Sequence, residues 1–230
     1  ELLKLHNDAL LLNLTAVDPG FETESVLSVQ SPSSNFGVTQ ADVPLFQQAL
    51  DEIRARPGVR SAAVASWVPL AAETPVAWGV RVEGEAEQAD RTNLMAFNDV
   101  STGFFETLGV PLVTGRYLDD TDLEETEPVV VINQSMAEAH FGDSNAVGRR
   151  LSFSFNGQNW SDFERVVGVV ADMQEHGIGR EGVHTVYRPA SQGSWGPAIL
   201  VASDGDPAPL ALQVRDVIHG IEPDRAVDQV

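Results

Sequence analysis

The sequence predicts an α+β fold with two subdomains: a split βαβ sandwich formed by both chain ends and a small mixed α/β subdomain inserted between them. A strand–helix–strand succession occupies residues 22–70, and a weaker copy of it occupies residues 196–230. The residues between them, 71–195, are rich in strand patterns. One strand–helix–strand unit cannot cover its own sheet, so the two ends are expected to pack into one discontinuous subdomain.

Residues 1–21 predict a helix and a turn. Leucines recur there at helical spacing, and Asp18-Pro19-Gly20 ends the helix. The chain starts inside this helical pattern and ends as abruptly at Val230, which indicates a domain excised from a longer protein.

The N-terminal unit is read from hydrophobic spacing and from residues that begin and end helices. Residues 26–29 predict a strand, and Asp42 is the expected N-cap of the following helix. Pro57-Gly58 ends that helix, and residues 59–70 predict the second strand. The apolar stripe of the helix consists of Leu45, Phe46, Ala49, Leu50 and Ile53.

The C-terminal unit repeats this order. Residues 198–201 predict a strand, residues 208–221 a helix that Pro223 ends, and residues 226–230 another strand. The apolar residues that precede Pro223 correspond loosely to Leu50 and Ile53 of the first unit; they are Val214, Val217 and Ile218.

The inserted segment predicts a succession of strands with two helices. Strands are expected over residues 76–83, 91–100, 129–132, 147–155, 163–171 and 183–187. A short helix is expected over residues 101–109, with Gly109 as its stop. Asn133 should cap a second helix, which Gly142 ends. The strands over 147–155 and 163–171 are expected to form a hairpin.

Composition limits the classes of partner. The 230 residues include 34 acidic and 14 basic side chains, for a formal net charge of −20. Nucleic-acid binding needs a positive surface, so no nucleic-acid partner is predicted. The chain contains no cysteine, which excludes disulfides and thiolate chemistry. Its longest apolar run is far shorter than the roughly 20 residues that span a bilayer.

A G-x-G-x-x-G pattern raises the question of a dinucleotide cofactor. Gly177, Gly179 and Gly182 follow a buried strand pattern over residues 166–170. In a dinucleotide site the glycines open a helix whose N-terminus holds the pyrophosphate. Here residues 183–187 alternate as a strand instead. We therefore predict a strand-linking loop and no cofactor.

Two groups of polar residues raise the question of a metal. His176 and His184 lie near Asp172 and Glu175, but their spacing gives neither a helical i, i+4 pair nor a tight ligand turn. The acidic residues within 119–127 lack the order and the glycine of a calcium loop. We predict no metal ligands; the histidines are expected in a solvated loop, and the acidic run in a solvated loop or at the start of a helix. The acidic residues are Asp119, Asp120, Asp122, Glu124, Glu125 and Glu127.

No catalytic residues are predicted, because the hydrolase patterns G-x-S-x-G, H-E-x-x-H and S-x-x-K do not occur. Four aromatic residues are expected to fill the core rather than to bind a ligand; they are Trp67, Trp78, Phe104 and Phe105. Arg149 and Arg150 are expected to be surface charges that offset nearby acids.

Five long segments, in order, resemble the periplasmic core domain of MacB-type, FtsX-like ABC transporter permeases. They are VDPGFETESVL (17–27), RARPGVRSAAVASWVPL (54–70), STGFFETLGVPLVTGRYLDD (101–120), VVVINQSMAEAHFGDSNAVGRRLSF (129–153) and RVVGVVADMQEHGI (165–178). The resemblance implies a porter-like subdomain over 22–70 and 196–230 and an inserted Sabre-like subdomain over 71–195. It also implies a membrane helix before residue 1, so that the helix and turn over residues 1–21 are membrane-proximal, and further membrane helices after residue 230.

The resemblance further implies a non-catalytic domain on the periplasmic face of the bacterial inner membrane. It would transmit motion, driven by a cytoplasmic ABC ATPase, for export or mechanotransmission. The implied partners are the membrane helices of the same permease, the ATPase, a second core domain, and a periplasmic adaptor or outer-membrane partner. A module that binds a ligand or a lipoprotein acyl chain is the alternative, and it requires an apolar pocket of at least ~300 Å³ between the subdomains.

Overall fold

A computed structural model describes residues 18–30, 43–70, 76–84, 92–142, 145–154, 158–175, 183–193 and 198–221. These ranges form ten strands and four helices, so the predicted α+β class is confirmed. In chain order the elements are β1 (Val26–Gln30), α1 (Val43–Arg54), β2 (Val59–Ala65), β3 (Val76–Val82), β4 (Thr92–Val100), α2 (Phe104–Leu108), β5 (Leu112–Gly115), β6 (Val129–Asn133), α3 (Gln134–Phe141), β7 (Arg150–Ser154), β8 (Glu164–Val170), β9 (His184–Pro189), β10 (Ala198–Ser203) and α4 (Leu210–Ile221).

The first and the last of the described strands meet in one antiparallel part of the sheet. β10 lies between β1 and β2 and pairs with both, so that Val201 faces Leu27 on one side and Ala62 on the other. Helices α1 and α4 pack against each other and against this part of the sheet. Between them lies a hydrophobic cluster that includes Phe46, with 2% of its surface exposed, and Ile53, with none. Burial of each such side chain stabilises the fold by roughly 1.5–3 kcal/mol.

Six further strands pair in a closed cycle. β3 pairs with β4 and β7, β7 with β8, β8 with β6, β6 with β9, and β9 with β4. A second hydrophobic cluster, which includes Met95, Ile132, Leu151 and Val186, is built from residues of these strands together with Met136 and Phe141 of α3. Each of the six strands therefore has a paired strand on both sides.

We call β1, β10 and β2, together with the two helices that cover them, the α1–α4 part. It is joined to the strand cycle where β2 meets β4. Only Ala65 and Val100 pair directly as strand residues. Ser101 adds two bonds, because its backbone N–H donates to the Val64 carbonyl (2.9 Å) and its hydroxyl accepts from the Val64 N–H (2.9 Å). A third hydrophobic cluster spans the joint, with Ala63 and Leu200 from one side and Phe104 and Tyr187 from the other.

The structure confirms most of the predicted elements, shortens one predicted strand and adds one strand that was not predicted. β2 ends at Ala65 rather than at Leu70, because the Ser66 N–H donates to the Asn98 side chain (3.1 Å) and the chain turns away. β5 was not predicted, since four largely exposed residues give no periodic signal. β7 and β8 form the expected antiparallel pair. The division into subdomains by residue range stays a prediction.

The core aromatic residues are partly as predicted. Phe104 and Phe105 are buried, and both contact Tyr187. Trp67 and Trp78 are only half-buried. Several predictions lie outside the described residues: the helix before Asp18, the Asp42 cap, His176 with the glycine loop, the Pro223 stop and the final strand. Among the described helices, none is both long and apolar enough to cross a membrane.

Candidate functional site

A buried asparagine organises the end of β6. Asn133 caps α3 as predicted, since its side-chain oxygen accepts from the Met136 N–H at 3.3 Å. The same oxygen accepts from the Thr185 N–H (3.0 Å), while the amide nitrogen donates to the Val183 carbonyl (2.9 Å) and to Asp172 (2.6 Å). Asp172 also accepts from the backbone and hydroxyl of Ser135, which places a negative charge at the start of α3.

Glu175 is buried, which corrects the prediction that this residue is solvated. It follows β8 but is only 2% exposed, and its carboxylate accepts from the Tyr187 hydroxyl (2.6 Å) and the Thr185 hydroxyl (3.1 Å). Its pKa is raised to about 7, mainly by burial; the two hydrogen bonds oppose this increase, and the charge of Asp172 adds a smaller increase. Burial, followed by the Glu175 charge, also raises the pKa of Tyr187.

Glu175 is expected to make the folded protein less stable as the pH rises. Its pKa is higher in the folded chain than its ordinary value of 4.5, so the folded state binds the additional proton. The free energy of unfolding should therefore fall by roughly 2 kcal/mol between about pH 5 and about pH 7. Glu175→Gln keeps the shape and both hydrogen-bond partners but cannot ionise, so this part of the pH dependence should disappear in urea unfolding at the two pH values.

The matched control is Glu106→Gln, which changes an exposed carboxylate on α2. It should keep the pH dependence of the unmodified chain. If Glu175→Gln keeps that dependence as well, Glu175 ionises in the folded protein as it does in the unfolded one.

Of the two histidines considered as metal ligands, the structure describes only His184. His184 is 8% exposed and its ring lies 5.3 Å from that of His140, centroid to centroid, while His176 lies outside the described residues. Burial lowers the pKa of His184, and the charge of Asp172 opposes that shift. Within the described ranges, no three His, Cys, Asp or Glu side chains are grouped so as to hold a metal ion.

The acidic segment is organised rather than simply solvated, which corrects the prediction for Asp122. This carboxylate is 4% exposed and accepts two bonds from Arg116, at 2.8 and 2.7 Å. We call residues 118–127 the acidic loop. Gln192 fixes its far end by donating to the carbonyls of Leu123 (2.9 Å) and Glu127 (3.1 Å). The other acids of the run remain half-buried or exposed.

A cleft of about 340 Å³ separates the acidic loop from α1. Its walls are Gln47 to Arg54 of α1, the turn before α2, the acidic loop and the end of β9. Nine of its fifteen lining residues are polar or charged. A cleft of this kind suits a ligand group that brings both an apolar body and a positive charge, rather than an acyl chain.

Sequence reasoning missed three residues that connect elements: Arg54, Thr185 and Arg188. Arg54 and Arg188 lie at the end of a helix and of a strand, where exposed positive charge is the ordinary expectation. The alternation of Thr185 and Tyr187 on one face of a buried strand was the available signal. Two hydroxyls on such a face require a polar partner, and Glu175 provides it. Arg150 is as predicted, since it pairs with Glu83 at 3.1 Å.

Comparison with known sequences agrees with the resemblance described in the sequence analysis. A model of the family described as the MacB-like periplasmic core domain matches residues 12–217. The chain is 33% identical over 88 residues to the macrolide export ATP-binding/permease protein MacB of Aggregatibacter actinomycetemcomitans, and the match covers 38% of this chain and 13% of that protein. It is 37% identical over 54 residues to MacB of Neisseria gonorrhoeae, covering 24% and 8%. The chain therefore spans a small part of the length of these relatives.

Solved structures show the same fold. The periplasmic region of MacB from Actinobacillus actinomycetemcomitans aligns with a TM-score of 0.59 at 16% identity, over 94% of each chain. The extracellular domain of the noncanonic ABC-type transporter YknZ from Gram-positive bacteria aligns with a TM-score of 0.51 at 15% identity, over 89% of this chain and 100% of that domain.

Proposed function

The chain belongs to the family of MacB-like periplasmic core domains of ABC transporter permeases, and from this premise we propose that it transmits ATP-driven motion across the domain. It would act as one rigid lever between membrane helices of the same permease and partners further from the membrane. The proposed location is the periplasmic face of the bacterial inner membrane. The proposed role is export or mechanotransmission, powered by a cytoplasmic ABC ATPase.

The observation that carries this proposal is the joint between the α1–α4 part and the strand cycle. Arg54, at the end of α1, donates two bonds to the Ala62 carbonyl of β2, at 3.1 and 2.7 Å. Its guanidinium donates a third bond to the Thr102 carbonyl before α2, at 3.3 Å. Together with the Ser101 bonds and the shared hydrophobic cluster, these contacts tie both parts to each other. A force on one part therefore displaces the other instead of bending the joint.

The chain suits a direct distance measurement, because it contains no cysteine of its own. In the full-length permease, spin labels at Leu212→Cys and Glu125→Cys would report the distance across the joint, since both positions are exposed. That distance should stay the same with and without bound ATP. The distance between the Glu125 labels of two core domains in one transporter should change. The proposal of a rigid lever would be contradicted if ATP changed the distance across the joint, or if it left the distance between the two Glu125 labels unchanged.

Arg54→Ala should loosen this joint. Loss of its three hydrogen bonds should lower the free energy of unfolding by about 1–2 kcal/mol and broaden the distance distribution across the joint. ATP hydrolysis by the transporter should continue, while its coupling to movement of the core domain weakens. Arg56→Ala is the control, because Arg56 is an exposed arginine just after the same helix. It should leave stability and distances unchanged.

No catalytic role is proposed for this domain. The alternative role in binding a lipoprotein acyl chain finds less support, because the cleft beside α1 is large enough but mainly polar. A second core domain, a periplasmic adaptor and an outer-membrane protein remain the proposed partners on the outer side.

A further inference from the structure

We propose that the cleft between α1 and the acidic loop is a docking site for a partner protein, through a segment with an apolar side chain flanked by lysine or arginine. The inference rests on the proposed function in one respect, because the partner must reach the domain outside the cytoplasmic membrane. Its test uses no nucleotide. Failure of the docking site is therefore distinguishable from failure of the lever.

The floor of the cleft is apolar. Leu50 of α1, Leu118 and Ala190 line it, and each is almost completely buried. Leu123 stands at the edge with 48% of its surface exposed, although the loop that carries it is held by Gln192. An apolar side chain in the cleft would cover Leu123 and remove this surface from water.

The rim of the cleft is negatively charged. Arg116 lies 3.2 Å from Asp119 and 2.7 Å from Asp122, so these two carboxylates share one positive partner. Asp51 approaches Arg54 only to 3.9 Å and is 80% exposed. Asp120 is exposed on the same rim. Asp122 is buried, so the accessible carboxylates of the rim are Asp51, Asp119 and Asp120. Counting Asp122, four carboxylates lie beside two guanidinium groups, and the rim retains negative charge for a cationic ligand group.

The size and the pattern of the cleft favour a protein segment as the occupant. A volume of about 340 Å³ is near the lower limit of the roughly 300–1,000 Å³ found for small-molecule sites, so it suits one or two side chains. An apolar centre within a charged rim is the usual arrangement of a protein–protein hot spot. The net charge of −20 adds long-range attraction for a basic partner.

Fluorescence anisotropy with short labelled peptides tests the site on this 230-residue chain at physiological salt. The main probe carries a leucine flanked by arginines. A second probe replaces the leucine with alanine, and a third replaces the arginines with glutamates. The main probe should bind at least about tenfold more tightly than either of the others, since it alone supplies both the apolar anchor and the positive flank.

Charge reversal locates the binding. Asp120→Lys and Asp51→Lys change exposed rim residues and should each weaken binding of the main probe about tenfold. Glu125→Lys makes the same change of charge in the same loop but outside the cleft lining, and it should alter binding by no more than about twofold. Circular dichroism and thermal unfolding would establish that all three variants fold like the unmodified chain.

Three results would overturn the proposal. An equal loss of affinity in Glu125→Lys would mean that the peptide follows the overall charge of the surface. Equal binding of the alanine probe would mean that the cleft accepts any cation without an apolar anchor. Binding of tetraphenylphosphonium as tight as that of the main probe, with the same dependence on Asp120, would make the cleft a small-molecule site.

Discussion

Arg188→Met is expected to lower the free energy of unfolding by about 4 kcal/mol. The guanidinium of Arg188 makes a two-bond pair with Glu164, at 2.8 and 2.6 Å, and only 10% of the Glu164 side chain is exposed. It also lies 4.5 Å from the centre of the Phe97 ring. Methionine keeps the apolar stem but leaves the carboxylate buried without its partner, which is the costly way to break a buried ion pair. Urea unfolding at neutral pH measures the loss.

Two further variants show whether burial causes this loss. Arg165→Met removes a pair with Glu127 in which both side chains are about two-fifths exposed, and it should cost less than about 1 kcal/mol. Combining Arg188→Met with Glu164→Leu removes both charges and should recover much of the lost stability. Similar losses in Arg188→Met and Arg165→Met would be incompatible with a special contribution from the buried pair.

Gly168→Ala is expected to destabilise the fold by about 3 kcal/mol, because β8 has no room for a side chain at this position. A Cβ atom there would lie 2.1 Å from the Arg116 backbone oxygen. The chain after β5 would have to move, and the Arg116 N–H would lose its bond to the Val167 carbonyl (2.9 Å). Since Arg116 also holds Asp122, the displacement should extend into the acidic loop. Thermal unfolding and amide exchange of residues 112–122 would detect both effects.

Gly205→Ala is the matched substitution at an open position, where a Cβ meets no atom within 4 Å. It should change stability by no more than about 0.5 kcal/mol. If the two alanine variants are equally stable, the close approach of β5 to β8 is absent in solution.

Local features of the fold were predictable because local residues determine them. The apolar stripe before Pro57 predicted α1, and the structure buries Phe46, Leu50 and Ile53 of that stripe. Asn133 and Gly142 predicted both ends of α3, since a side-chain cap and a positive-φ glycine act within one helical turn. The cap prediction was therefore independent of how the sheet is arranged.

Pairings between distant segments were not predictable from one sequence. β4 pairs in parallel with β9, and β6 with β8, although other elements separate them along the chain. Two parallel strands are not joined by a tight turn that could be recognised in the sequence. Their register depends on which residues of both strands are buried. Glu175 was wrongly predicted to be solvated for the same reason, because its two hydroxyl partners belong to a strand that only the tertiary fold brings near.

The antiparallel pairing of β1 with β10 also constrains the order in which the chain can fold during synthesis. β1 pairs with β10 and with no other described strand, and Val26 lies opposite Ala202. The strand cycle uses only residues between Val76 and Pro189, so all of its strands emerge from the ribosome before β10 does. α1 can pack on β2 as soon as both are made, but the part of its apolar side that faces α4 stays uncovered until the last part of the chain is synthesised. Chaperones that act on the nascent domain would encounter that surface.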